Sequence, residues 1–464
     1  MRKRFSSRLS LILTAAVFLP VSFSLAQGIR PWPENPYYWE FRGKPTLLLG
    51  GSIDDDLFQY EGFEEQLDTL VACGGNVIRN TMSSSPTRPW PFAKAGEKYD
   101  LNRFNDEYWD RFVRLLEAAS RRSVVVQVEI WATFSYYGEN WTRYNPFNPA
   151  NNINYSAAES GLPPVNESHP TRADNPFFRT LPDYMNNRVV LRYQERFVDK
   201  FLSYTLRYDN VLYAMDNETS ADPRWGAYWA GYIKKKAAEA GRRVYATEMW
   251  DPWDLRHPWH LNTIDHPEIY DFIDISQNNW QEGQRHQDAL AYVRERISGN
   301  PRPINNTKVY ARRDNRCDPR LAVDRFYGNV WAGCASTRFH RPTDRGHGIG
   351  IDHNARRAIR GLREVFGRFD IFASRPQDRL LNDRSENEAY CLEREGLAWA
   401  VYFPDGGGVM LDPRAAPPGS TFQVEWFDAD YLSWYPAFEL KASGGVPLGC
   451  PGSGKWVALV RIKP

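Results

Sequence analysis

The sequence predicts an α/β protein: a (β/α)8 TIM barrel followed by a small antiparallel β-sandwich. Two observations carry this reading. Up to about residue 370, eight short apolar, β-rich runs alternate with longer stretches of helical periodicity, which is the pattern of parallel βα units. Beyond that point the runs alternate apolar and polar residues between turns rich in Gly, Pro and Asp, as antiparallel strands do.

The first strand is read at 46–51 (TLLLGG). An amphipathic stretch over 63–73 leads to the second at 76–80, and a helix around 108–121 leads to the third at 123–130 (SVVVQVEI). A long helix over 188–207 precedes the fourth at 211–215, and 225–240 precedes the fifth at 244–249. The sixth is 272–276. A helix over 287–297 precedes the seventh at 303–307. The eighth is read at 328–336, with a helix near 355–366 after it. The long insertion 133–187, rich in Asn, Pro and Tyr, reads as too polar for core and is placed as a loop over the active face. Sandwich strands are read at 396–403, 408–411, 421–427 and 455–462.

Arg2, Lys3, Arg4 and Arg8 precede an apolar run over 9–23 and the small-residue end Ser24-Leu25-Ala26. This reads as a signal peptide over 1–26, too short in its apolar core to span a bilayer. The expected mature protein is exported, secreted or periplasmic, without membrane attachment, its barrel over 27–370 and its sandwich over 371–464. Formal net charge is +1, and losing the leader's four basic residues leaves −3. That gives no basic face for nucleic acid. Of five cysteines, Cys317–Cys334 and Cys391–Cys450 are plausible disulfides in an exported chain, leaving Cys73 over. None has metal-ligand spacing, and no phosphate loop calls for a cofactor.

A barrel of this kind keeps its chemistry at the C-terminal ends of its strands. The polar or aromatic residues there are Asp54 to Asp56, Arg79 and Asn80, Glu129 and Trp131, Asn217 and Glu218, Glu248 and Trp250, Asn278 and Trp280, Lys308 and Tyr310, and Arg338 and His340. Tryptophans suit sugars, because a flat apolar ring stacks on a pyranose while its polar edge hydrogen-bonds. Trp131, Trp250 and Trp280 are therefore candidate platforms.

The fourth strand reads Leu212-Tyr213-Ala214-Met215-Asp216-Asn217-Glu218. Here the sequence resembles the clan A glycoside hydrolases. The resemblance implies that Asn217 binds a sugar 2-hydroxyl and that Glu218 is the acid/base on the glycosidic oxygen. The stretch 35–49 (NPYYWEFRGKPTLLL) and the terminal sandwich are similar to bacterial glycosidase-like proteins carrying a collagen-binding-like domain.

One position departs from the resemblance. Clan A enzymes carry a nucleophilic Glu at the end of the seventh strand, and retaining hydrolysis needs two carboxyls about 5–5.5 Å apart. The seventh run here is Pro303-Ile304-Asn305-Asn306-Thr307-Lys308-Val309-Tyr310, with Lys308, or Thr307 in the adjacent register, at that place. Three readings follow. Glu248 or Glu129 replaces the missing carboxylate in a hydrolase. Or Lys308, with Tyr310 or His340, abstracts a proton α to a uronate carboxylate held by Arg338 or Arg79, making a lyase or dehydratase. Or the site binds carbohydrate without turning it over. Arg338, His340, Arg341, Arg345 and His347 follow one another closely, which suits a uronate or sulfated sugar. Asp54, Asp55 and Asp56 suit a hydroxyl, a calcium ion or a helix cap.

Overall fold

The computed structural model describes residues 28–463 except 168–173, 314–315, 344–346, 415, 418 and 443. The leader and Arg345 lie outside the described residues. The barrel strands are β1 (Leu48–Gly51), β2 (Val77–Thr81), β3 (Val125–Trp131), β4 (Val211–Asp216), β5 (Ala246–Thr247), β6 (Ile273–Asp274), β7 (Ile304–Val309) and β8 (Ser336–Phe339). They form one parallel sheet in the order β5-β4-β3-β2-β1-β8-β7-β6. Between the two ends, the Asp271 N–H donates to the Ala246 carbonyl at 2.8 Å and the Thr247 hydroxyl to the Phe272 carbonyl at 2.7 Å, which closes the ring.

Each strand is followed by its helix: α1 (Phe63–Ala72), α2 (Asp106–Arg121), α3 (Arg188–Thr205), α4 (Pro223–Glu239), α5 (Pro258–Ile264), α6 (Gly283–Arg296), α7 (Pro319–Trp331) and α8 (His353–Arg368). Asn105, Asp222, Asp318 and Asp352 accept backbone N–H bonds at the starts of α2, α4, α7 and α8. Pro223 and Pro319 occupy first-turn positions, where no N–H is needed.

Inward residues fill such a barrel in layers, and here the layers are polar. At the bottom, Trp39 donates to Asn305 Oδ1 at 2.9 Å, Asn305 to Gln127 Oε1 at 3.0 Å, and Gln127 to Asp274 Oδ2 at 2.8 Å. Above them Arg338 donates to Ser52 Oγ at 2.9 Å and to the Thr307 carbonyl at 2.6 Å. The top layer holds Arg79, Glu129, Asn217 and Lys308.

After the barrel come β9 (Tyr390–Arg394), β10 (Ala398–Phe403), β11 (Gly408–Leu411), β12 (Thr421–Asp428), β13 (Phe438–Lys441), β14 (Val446–Gly449) and β15 (Trp456–Ile462). One antiparallel sheet runs β9-β10-β15-β12, and β11 and β14 belong to a second. Alternate residues of the first sheet divide between two cores. Tyr390, Leu392, Ala400 and Tyr402 pack on the barrel, while Cys391, Trp399, Val401 and Phe403 face the second sheet. Burial on both faces explains why β10 is apolar throughout.

Three expectations need correction. The run 328–336 begins inside α7, because the Asp318 cap and Pro319 start a helix that continues to Trp331, and the strand begins only at Ser336. The insertion is not too polar for core. Tyr136 and Phe177 stack at 4.1 Å, and Trp141 and Phe147 are buried with them. Its asparagines satisfy loop backbone, as Asn145 does by donating to the Ser135 carbonyl and Asn148 to the Trp141 carbonyl, both at 2.8 Å. Finally, all five cysteines are unpaired. Cys317 and Cys334 lie at opposite ends of the 13-residue α7, about 20 Å of helix, against the roughly 7 Å that a disulfide tolerates between Cα atoms.

Candidate active site

A cleft of about 630 Å³ opens at the C-terminal ends of the strands, lined by Asp54, Asp55, Asp56, Arg79, Ser83 to Arg88, Phe134, Asn140, Asn217, Glu218, Lys308, Tyr310, His340, Arg341 and His347. Glu218 reaches it through an irregular strand end. The Asn217 N–H still pairs with β3, donating to the Trp131 carbonyl at 3.1 Å, while the Thr219 N–H pairs on the other side with the Met249 carbonyl at 2.9 Å. Between the two, Glu218 has φ +50°. A side chain in the left-handed region costs on the order of 1–2 kcal/mol, and such strain gathers at functional sites.

The Glu218 carboxylate accepts from the Lys308 ammonium and lies 3.4 Å from the Tyr310 hydroxyl. Lys308 also donates to Asn217 Oδ1 at 3.0 Å. A register shift in the β7–β8 pairing between Asn306 and Val309 is the kind of irregularity that re-aims a side chain, here Lys308. Burial alone would raise the proton affinity of Glu218. The Lys308 ammonium, with Arg79 and Gln277 assisting, outweighs it and holds this carboxyl below its ordinary range.

Arg79 organises the floor. It donates to Asp55, Glu129 and, at 2.6 Å, to Asn217 Oδ1. Burial works against its charge, and Glu129 and Asp55 more than compensate. Asp55 also accepts from Arg341. Burial would raise its proton affinity too, but Arg79, His340 and Arg341 hold it well below the ordinary range. Arg88 bridges Asp54 at 2.9 Å and Asp56 at 2.7 Å. Burial and Asp54 push Asp56 up to about 7. His340 packs on Tyr310 with ring centroids 5.0 Å apart, and burial keeps its imidazole neutral despite Asp55. Burial and Glu218 likewise keep the Tyr310 phenol neutral.

The structure thus brings together Glu218, Lys308, Asn217, Arg79, Tyr310 and His340, with Glu129 beneath them. Other expected residues lie elsewhere. Glu248 faces outward towards α4, its Oε1 accepting from the Asp216 and Met249 N–H groups at 2.9 Å. Asn80 is buried and accepts from the Phe58 N–H at 3.1 Å. Arg338 is spent on Ser52 and Thr307 inside the barrel. Trp131 is buried among Phe177, Phe197, Trp225 and Trp229, and Trp250 donates to Thr263 of α5 at 2.7 Å. Neither ring can meet a ligand. Trp280 is 46% exposed and meets Tyr310 in a T-shaped contact with ring centroids 5.7 Å apart. Gln277 and Asp251 act on or respond to Glu218 and were not among the expected residues, and Trp253 is 57% exposed in the loop after β5. A signal was present, since all three lie within four residues of a strand end read from the sequence.

No family profile matches this sequence, and no curated protein matches it. Solved structures do match. A glycoside hydrolase aligns with a TM-score of 0.63 at 12% identity, covering 94% of this chain and 97% of that one. A glycoside hydrolase family 5 protein from Bacteroides vulgatus gives 0.60 at 13%, covering 94% and 93%. A glycoside hydrolase family 5 mannosidase from Rhizomucor miehei gives 0.50 at 13%, covering 72% and 96%. The shared property is the fold, the barrel of glycoside hydrolases. For the first two, the match extends over the C-terminal sheets as well.

Proposed function

We propose that this protein is a glycoside hydrolase-like enzyme that cleaves a glycosidic bond in an oligosaccharide or polysaccharide, with Glu218 as its proton-transferring carboxyl. The observation that carries this reading is Glu218 itself. It is a strained, partly exposed carboxyl directly after Asn217 at the end of β4, aimed into the cleft and fixed by Lys308. The shared fold supports it, and Trp253 and Trp280 on the neighbouring loops are suited to stacking on sugar rings.

The cleft's charges favour an uncharged sugar over a uronate or sulfated one. Arg79 and Arg341 face Asp55, Arg88 faces Asp54 and Asp56, and Lys308 faces Glu218. Each cation is thereby already matched by a carboxylate. Export to the periplasm or medium belongs to the same proposal and rests on the leader-like N-terminus. Among the described residues, no helix is long and apolar enough to cross a membrane.

A second reading, elimination from a uronate, is favoured by one observation. The ammonium of Lys308 occupies the end of β7, with Tyr310 beside it. Screening neutral and acidic polysaccharides for new reducing ends and for the ultraviolet absorbance of an unsaturated uronate separates the two. Glu218→Gln should abolish turnover of whichever substrate is found while binding persists. Full activity in that variant would refute the assignment, and binding without turnover by the wild type would leave only a carbohydrate-binding protein.

A further inference from the structure

Hydrolysis needs a second group to exchange protons opposite Glu218, and β7 presents an ammonium there. The acidic residues on the β1 side of the cleft are already engaged, Asp55 by two guanidiniums and Asp54 and Asp56 by Arg88. Asp251 differs from all three. It follows β5, and its N–H donates to the Thr219 carbonyl at 2.9 Å, one residue beyond the Thr219–Trp250 bridge. Trp250 is bonded to Thr263 of α5 on the outer side, while the Asp251 backbone lies against the residue that directly follows Glu218. The charges of both Glu218 and Lys308 act on Asp251, and Tyr137 feels Glu218 and Asp251 together. Asp56, by contrast, is governed by Asp54 and Arg88.

We propose that Asp251 is the second catalytic carboxyl, the proton donor to the departing glycosidic oxygen, while ionised Glu218 receives the proton of the attacking water. This rests on the glycosidase reading above. In the step, the Asp251 O–H proton passes to the glycosidic oxygen as the anomeric C–O bond breaks. Water oxygen bonds to the anomeric carbon, and its proton goes to Glu218. Loss of that proton from Glu218 and uptake of one by Asp251 from solvent restore the enzyme. The two environments agree with this division. Burial, with Glu218 adding repulsion, pushes Asp251 up to about 6, whereas Glu218 is held low, and carboxyls driven apart in this way take opposite roles.

The test uses dinitrophenyl glycosides, whose leaving group needs no proton, and alkyl glycosides, whose leaving group does. Glucose, mannose, galactose and xylose, in both anomers, form the panel. Asp251→Asn should lose roughly 10²–10⁴-fold in kcat on the alkyl glycoside and far less on the dinitrophenyl one. It should also lose the decline in rate as pH rises through about 6. Glu218→Gln should fail on both substrates, and Asp251→Glu should recover part of the alkyl glycoside rate. Independently of turnover, the 13C-labelled Asp251 carboxyl should titrate near pH 6 in the wild type and lower in Glu218→Gln, where the repelling charge is gone. Equal losses on both substrates, no loss on the alkyl glycoside, or an Asp251 titration unmoved by Glu218→Gln would overturn the proposal. If Asp251→Asn and Glu218→Gln both keep full activity, this proposal and the assignment of Glu218 fall together, whereas a wild type that turns over no glycoside of the panel removes the glycosidase reading instead.

Discussion

Replacing Lys308 by Met removes the cation that defines the ionisation of Glu218 while keeping most of the side-chain volume. The lysine side chain is 3% exposed and that of Glu218 26%, so the pair is poorly screened by water. At an effective dielectric constant of about 20, opposite charges some 4 Å apart attract by about 4 kcal/mol. Arg79 and Gln277 still stabilise the anion, so the proton affinity of Glu218 rises by only part of that energy. Because the variant leaves burial opposed only by those weaker partners, the sign is upward. With Glu218 active as the carboxylate, the acid limb of the pH–rate profile moves up with it. Stability follows the same sign. A carboxyl with a depressed folded pKa contributes stability above its unfolded pKa, about 4.3, and that contribution disappears as pH falls through the folded value. Lys308→Met should therefore be destabilised near neutral pH and converge with the wild type in acid. Rate profiles, 13C titration of Glu218 and urea denaturation at two pH values test this. A Glu218 titration that stays put or moves down would refute the reasoning.

The remaining predictions concern residues that the fold relocates. Trp131→Ala should cost about 3–5 kcal/mol in urea denaturation, since its ring sits inside an aromatic core. Trp253→Ala and Trp280→Ala should stay within about 0.5 kcal/mol yet raise KM for the oligosaccharide substrate. A destabilised Trp280 variant with unchanged KM would contradict the platform role. All five thiols should react with Ellman's reagent in denaturant without prior reduction, and Cys317 should react first in the native protein. Fewer than five equivalents would reveal a disulfide.

Much of the barrel is legible because its signals are local. Apolar runs of four to seven residues, helical periodicity and caps such as Asp222-Pro223 are set by neighbours in the chain. The eighth unit is misread where two local signals compete. The residues Val330, Trp331 and Cys334 look like a strand, but the Asp318-Pro319 start commits the first two to a helix. In the insertion, polar composition hides a core, because buried asparagines serve the backbone while the aromatic rings pack together.

The site divides along the same line. Sequence alone determined that eight βα units surround one mouth and that an Asn-Glu pair ends the fourth strand, since both depend on spacing within a few residues. Only the tertiary structure decided which side each strand-end residue faces, sending Trp131, Trp250 and Glu248 outward and setting the Asp251 backbone beside the residue after Glu218. A shift of one residue reverses that choice in extended backbone. It also decided that Lys308 meets Glu218 across 90 residues and that Arg79 meets Asn217 across 138. No local pattern encodes such contacts, because closing the ring of strands is what brings these side chains together.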